Sequence, residues 1–314
     1  MTTAPRLSLG LPVYNGEEYL AESLDALLGQ SFEDYELIIT DNASTDATEE
    51  ICRTYLAKDS RVRYLRLAKN IGAAGNHNYV FSEARGELFK WASHDDLYGR
   101  DLLLRCVEAL DERPDVILAH CHNAIIDGEG TVTHPFDYRL ATDSPRAPVR
   151  FRSLLFEPGG DDFYGVMRTE MLRKVKPHDS YHHADRTFVA EIALHGPFHQ
   201  VPELLFFRRD HPGRAERANP TKRTRCANLD PKRANKYLHP TARLLAEYVW
   251  GFVSAIRRVP LSAADRLECY RYLAEWATSR ARSGSDERFE DQVSTAFEPF
   301  SIDELVPGRE GRVR

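Results

Sequence analysis

The first 120 residues alternate between a strand-like and a helix-like hydrophobic period, and this rhythm constrains the fold more than any other feature. Leu7–Val13 is a short apolar run ended by Tyr14-Asn15-Gly16, and Glu17–Gln30 follows with Leu20, Leu24, Leu27 and Leu28 at helical spacing. Glu36–Thr40 is a second buried-strand candidate, running into the turn-rich Asp41–Asp46 and a helix from about Ala47 to Lys58. Arg61–Leu67 and Glu87–Ala92 read as further strands, separated by a helix that Asn70-Ile71-Gly72 opens. A helix over Arg100–Leu110 and a strand over Val116–His120 continue the pattern. Strands alternating with helices imply a mostly parallel sheet covered on both faces, with ligands bound beyond the carboxyl ends of the strands. Tyr14-Asn15, Asp41 and Asp95-Asp96 each follow a strand, so all three are expected on one rim.

Composition narrows the function classes. A net charge of -6 over 314 residues argues against a duplex nucleic-acid binder, which needs a clustered basic face, so no nucleic-acid partner is expected. No run approaches the roughly 18–20 apolar residues that span a bilayer. No signal-peptide core precedes the first strand, so the chain reads as cytoplasmic. Five widely spaced cysteines without a Cys-x-x-Cys pair fit reduced, buried thiols. His120 and His122 share a strand face but lack further ligands at zinc spacing.

Four segments occur in order, each at a strand end: Ser8–Asn15 (SLGLPVYN), Glu36–Asp46 (ELIITDNASTD), Asn70–Asn78 (NIGAAGNHN) and Ser93–Asp96 (SHDD). Together they resemble the nucleotide-binding half of family-2 inverting glycosyltransferases with the GT-A fold, most specifically to about Asp111 and more weakly to about His211. The resemblance implies an α/β catalytic domain over 1–215, divided into a nucleotide-binding half (1–111) and an acceptor half (112–215). A helical region over 216–314 follows. It also implies a nucleoside-diphosphate-sugar donor of UDP or dTDP type, a divalent cation (Mn²⁺ or Mg²⁺), and a glycan, lipid-linked or small-molecule acceptor.

Residue by residue, Asp41 matches the carboxylate that accepts a hydrogen bond from the base; the alternative is that it only opens the turn before the next helix. Tyr14 and Asn15 follow the first strand, Tyr14 as a candidate base-stacking ring, with Pro12 and Val13 lining the pocket or packing in the core. Asn70, Gly72 and His77 belong to the segment beside the diphosphate, where relatives often carry Arg in place of His77. Ser93-His94-Asp95 aligns with the Asp-x-Asp signature, which makes Asp95 the metal ligand with Asp96 beside it. Ser93 departs from the usual first Asp of that signature. Arg208 and Arg209 are candidates to neutralise the leaving group, and His211 to complete the metal shell. Asp185 opens the Asp185–Leu194 helix and matches the general base; Ala184 replaces the Glu that usually precedes it. Asp161-Asp162 reads as an acceptor-side wall or a solvated loop.

The remainder of the chain is less specific. Arg208–Arg233 reads as an Arg/Pro/Asn-rich loop, and Pro231–Val259, Ser262–Ser283 and Glu287–Phe297 as helices. Leu244–Ile256 is amphipathic, with Trp250 and Phe252 in its apolar stripe. It is expected to pack on the catalytic half; a homodimer through these helices, or peripheral membrane contact, are the alternatives. Two rival functions remain. A sugar-phosphate nucleotidyltransferase would need a basic Gly-rich loop where the acidic Tyr14–Glu18 stands. A catalytically inactive nucleotide-sugar-binding protein is suggested by Ser93 and Ala184.

Overall fold

The computed structural model describes residues 4–136, 140–157, 161–283 and 299–309. The expected Glu287–Phe297 helix lies outside the described residues. Strands β1 (Leu7–Val13), β2 (Tyr35–Asp41), β3 (Val62–Arg66) and β4 (Leu88–Trp91) pair in parallel in the order β4-β1-β2-β3. Helices α1 (Leu20–Leu28), α2 (Thr48–Lys58) and α3 (Ala73–Ser82) connect them. β1 and β2 are buried at every position, which explains their continuous apolar character.

Beyond β4 the sheet becomes mixed. After β5 (Leu97–Tyr98) and α4 (Leu102–Glu112) come β6 (Leu118–Ile126), β7 (Thr131–Phe136), α5 (Ala147–Phe156), β8 (Val166–Arg168), α6 (Thr169–Leu172), α7 (Ala184–His195) and β9 (Phe198–Arg209). β8 runs antiparallel between β4 and β6, and β7 antiparallel beside β6. The expectation of a mostly parallel sheet therefore holds for the first half only. β9 runs parallel to β6 and also pairs antiparallel with β5, Leu97 opposite Phe207. This second pairing brings the end of β9 against the loop that follows β4.

Arg208–Arg233, read from sequence as a loop, instead contains α8 (Ala215–Ala218) and α9 (Lys222–Leu229), which Thr221 caps through a reciprocal hydrogen-bonded box with Thr224. α10 (Thr241–Arg258) and α11 (Ala263–Ser283) follow. α10 buries Leu244, Tyr248, Phe252, Ala255 and Ile256 in the aromatic core against α7. Trp250 is not in that core: it lies about 200° around the helix from Phe252 and is 58% exposed. The C-terminal part is not wholly helical either. β10 (Phe300–Ser301) adds to the β7 edge, and Ile302 and Val306 complete the core under α1.

Candidate active site

The parallel strands end on one rim, and the loops after them build the site. Val13 and Asp41 are register partners at the ends of β1 and β2. After β1, Tyr14 is 43% exposed and Asn15 adopts a left-handed backbone (φ 51°). Asn15 fixes this loop to the next one: its N–H donates to Ser44 Oγ (2.9 Å) and its side-chain oxygen accepts from Thr45 N–H (2.9 Å). Pro12 and Val13, by contrast, are buried at the end of the strand.

Asp41 departs from the expected open carboxylate. It is fully buried, with Oδ1 accepting from Ser44 N–H (2.8 Å) and Oδ2 from the Tyr64 hydroxyl (2.7 Å) and Arg66 Nη1 (2.6 Å). The cause is register: Asp41 lies opposite Arg66 across the β2–β3 ladder. In this arrangement Asp41 secures the turn. Asp46 does the same locally, accepting from Thr48 and Glu17 N–H groups.

Asn70 also acts locally, its side-chain oxygen accepting from Gly72 N–H at 2.8 Å. Gly72 has φ 83°, and a Cβ there would lie 2.3 Å from the Leu229 carbonyl. The end of α9 thus closes over the start of α3, and glycine is required both for the turn and for that approach.

The loop after β4 carries the densest charge. Asp95 Oδ2 lies 3.0 Å from His211 Nε2, and Oδ1 is contacted by Ser93 Oγ. Burial alone would raise the Asp95 carboxyl. The charges of His94 and Arg214 and the hydrogen bonds from His211 and Ser93 outweigh it and hold the group well below the usual carboxylate range. Asp96 turns the other way: it is 4% exposed and accepts the Arg209 N–H at 3.0 Å. Burial and the adjacent Asp95 charge push its carboxyl upward. Asp96 thereby anchors β9 from within.

Arg209 is a further departure. Adjacent strand residues face opposite sides, and Arg209 is the one that points inward. Its Nε donates to the Asp95 carbonyl (2.9 Å), Nη1 to the Gly128 carbonyl (2.5 Å) and Nη2 to Glu22 Oε2 (2.7 Å), while its guanidinium sits 4.4 Å over the Tyr19 ring. Arg309 reaches the same Glu22 carboxylate (3.2 Å), so the C-terminal segment ties into this network. Arg208 is half-buried and retains the outward position; its charge, like that of Arg214, acts on Asp96.

Three imidazoles, His94, His77 and His178, lie within electrostatic reach of Asp95 or Asp185. His94 packs on Gly16, where a Cβ would lie 2.6 Å from the ring, and its charge acts on Asp95 on one side and His77 on the other. His77 Nδ1 lies 2.8 Å from the Ala73 carbonyl, which requires that nitrogen to carry the proton and leaves Nε2 as an acceptor. Its ring stacks 5.9 Å from His178. Burial pushes His77 down to about 4 and also lowers His178, so both are neutral at pH 7, and the Asp185 charge acts on each in the opposite direction. Asp185 itself is exposed in the first turn of α7, after His183 in a left-handed backbone (φ 59°). Asp162 is fully buried and 3.2 Å from His120 Nδ1, so it is neither solvated nor an acceptor wall; the Asp161 side chain lies outside the described residues. His178, Arg214 and Glu22 were not anticipated; each is an isolated residue whose role depends on chain crossings.

Residues 8–175 match the family model described as glycosyl transferase family 2. The chain belongs to that family. An uncharacterized glycosyltransferase of Rickettsia typhi is 34% identical over 128 residues, which is 40% of this chain and 39% of that protein. GlyG, a glycosyltransferase of Streptococcus pneumoniae, is 31% identical over 118 residues, 37% of this chain and 39% of its own. The chain thus spans about two fifths of the length of these curated relatives. The crystal structure of S. aureus TarS superimposes with a TM-score of 0.62 at 17% identity, over 91% of this chain and 46% of that one. TarS 1–349 in complex with UDP-GlcNAc gives 0.54 at 16% identity, over 94% and 99%. At such identity the likeness establishes the shared α/β fold.

Proposed function

We propose that the chain transfers a glycosyl group, with inversion, from a nucleoside-diphosphate sugar of UDP or dTDP type to an acceptor hydroxyl, aided by one divalent cation. The single observation that carries this reading is the Asp95–His211 pair, 3.0 Å apart beyond the fourth strand of a family-2 sheet, with Asp185 exposed in the first turn of α7. Asp95 with His211 serves the leaving-group end of this reaction and Asp185 the proton-accepting end. The UDP-GlcNAc bound by TarS supports the donor class.

The donor set at Asp95 fits a cation. A carboxylate oxygen and an imidazole nitrogen stand 3.0 Å apart there, and both are donor types that Mn²⁺ accepts. Among the described residues no group of three His, Cys, Asp or Glu converges as a metal site. Asp95 and His211 would hold Mn²⁺ or Mg²⁺, which supplies charge stabilisation to the departing diphosphate. Ser93 at the first signature position is compatible with this role, since its hydroxyl orients the Asp95 carboxylate.

The chain's own residues do the rest. Exposed Tyr14 offers a ring for the base, and outward Arg208 with Arg214 supplies positive charge beside the phosphates. Neutral His77 offers an acceptor nitrogen to a donor hydroxyl, not a counter-charge to phosphate. Asp185, exposed at the positive end of α7, takes the proton of the attacking hydroxyl. Incubating the protein with UDP- and dTDP-sugars, Mn²⁺ and candidate acceptors should release nucleoside diphosphate. Release of pyrophosphate from a sugar phosphate and nucleoside triphosphate would instead favour a nucleotidyltransferase, and tight binding without any turnover a binding protein.

A further inference from the structure

α10 is apolar on two sides, and only one of them is used. Leu244, Tyr248, Phe252, Ala255 and Ile256 face the core, whereas Leu245 (40% exposed), Val249 (37%) and Trp250 (58%) stand outward with exposed Ala242 and Ala246. Just before the helix, Tyr237 is 83% and Leu238 63% exposed. Five of the large exposed apolar side chains of the described residues therefore cluster between 237 and 250. Contiguous apolar patches of this kind mark docking surfaces.

The charge around the patch says what docks. Between residues 230 and 258, Lys232, Lys236, Arg243, Arg257 and Arg258 are exposed, whereas the acids are Asp230 and Glu247, the latter engaged by Arg233 and Arg243. Exposed Lys236 sits 5.2 Å from the Tyr237 ring, and exposed Arg257 sits 6.0 Å from the Trp250 ring. Aromatic side chains with an apolar body beside a cation are suited to the boundary between headgroups and acyl chains.

We infer that the outer face of α10 docks this protein on an anionic lipid bilayer surface. Trp250, Val249, Leu245 and Leu238 enter the interface, and Lys236, Arg243 and Arg257 meet the lipid phosphates. A second copy of the chain is the poorer occupant, because an antiparallel two-fold contact along α10 would set Arg257 of one copy toward Lys236 of the other, like charge against like. The docked face lies one helix away from the start of α7, which carries Asp185: the Tyr248 ring is 5.5 Å from that of His183, and Gly251 packs against Tyr181 just before α7. The inference goes beyond the transfer reaction and does not depend on the identity of the donor.

Flotation of the purified full chain with phosphatidylcholine vesicles, with and without about 30% phosphatidylglycerol, tests it. Binding should be at least about tenfold tighter to the anionic vesicles and should fall steeply as salt rises to about 0.5 M, where screening shortens the reach of the charges. Val249→Glu/Trp250→Glu should abolish it, and Arg257→Gln should weaken it about fivefold. The salt series on the unmutated chain stands even where a variant folds poorly. Equal or absent binding to both vesicles, or full binding by the double variant, would overturn the inference. So would a wild-type dimer in light scattering that becomes monomeric in the double variant without vesicle binding. Nucleotide-induced thermal stabilisation, read in parallel, is independent: its absence beside intact vesicle binding would count against the donor reading alone.

Discussion

Arg208 and Arg209 are adjacent and chemically identical, yet the structure gives them opposite consequences on substitution. Arg209 has no exposed surface and closes three contacts, to the Asp95 carbonyl, the Gly128 carbonyl and Glu22. Arg209→Met keeps the volume but leaves those acceptors without their donor. Removing one partner of a buried ion pair costs about 3–5 kcal/mol. Glu22 keeps Arg309 and is 22% exposed, which places the loss near the lower end, about 3 kcal/mol. For a chain of this size, that lowers Tm by roughly 5–10 °C. Because the Asp95 backbone is one of the released acceptors, Mn²⁺-dependent nucleotide binding should weaken as well. Arg208→Met should leave stability within about 0.5 kcal/mol while weakening nucleotide affinity about tenfold through the lost charge. Denaturant unfolding and nucleotide titration of both variants provide the check. If Arg209→Met unfolded within about 1 kcal/mol of wild type, or if Arg208→Met were the less stable of the two, the inward–outward assignment would be wrong.

Asp185→Asn should lower kcat by about 100-fold or more while leaving nucleotide-induced stabilisation unchanged, as read by turnover and thermal shift on the same preparation. Tyr14→Ala should weaken nucleotide binding by about tenfold, the loss of one base–aromatic stack, with little effect on unfolding. Lys90 is buried under the site among the rings of Tyr98, Tyr164 and Phe206, its ammonium donating to the Tyr164 carbonyl, and burial pushes it down to about 8. The unfolded chain keeps its proton to about pH 10.4, so between pH 8 and 10 the unfolded state binds more protons and stability rises with pH. Lys90→Met should remove that rise, worth up to about 3 kcal/mol, and be at least as stable as wild type at pH 7, measured by denaturant unfolding across that window.

The alternation of β1 to β4 with their helices was legible because strand and helix periods differ and each strand is short and mostly apolar or alternating. The placement of Asp95 and Asp185 at element ends was equally readable. What the sequence could not reveal depends on pairing at a distance. Nothing local to Asp41 tells that Arg66 will lie opposite it and take its carboxylate. Which of Arg208 and Arg209 points inward follows from the β5–β9 pairing, set by residues more than 100 positions apart. Asp162 looked like a solvated acid until His120 came beside it from β6. The Arg-rich stretch after β9 looked loop-like because its helices are short and sparing in apolar residues, and they are held by contact with α3 and a capping box. Trp250 was misplaced because an apolar residue within a stripe does not declare which side of the helix is covered.

The central claim is that Asp95 and His211 together hold a cation against a nucleoside diphosphate, and a thermal-shift titration of UDP and dTDP with and without Mn²⁺ tests it most directly. Wild-type protein should be stabilised by nucleotide far more in the presence of Mn²⁺, by about 2.7 kcal/mol at a hundredfold excess over Kd. Asp95→Ala and His211→Ala should each lose the metal-dependent part. Nucleotide stabilisation that is indifferent to Mn²⁺, or that survives in both variants, would contradict the account.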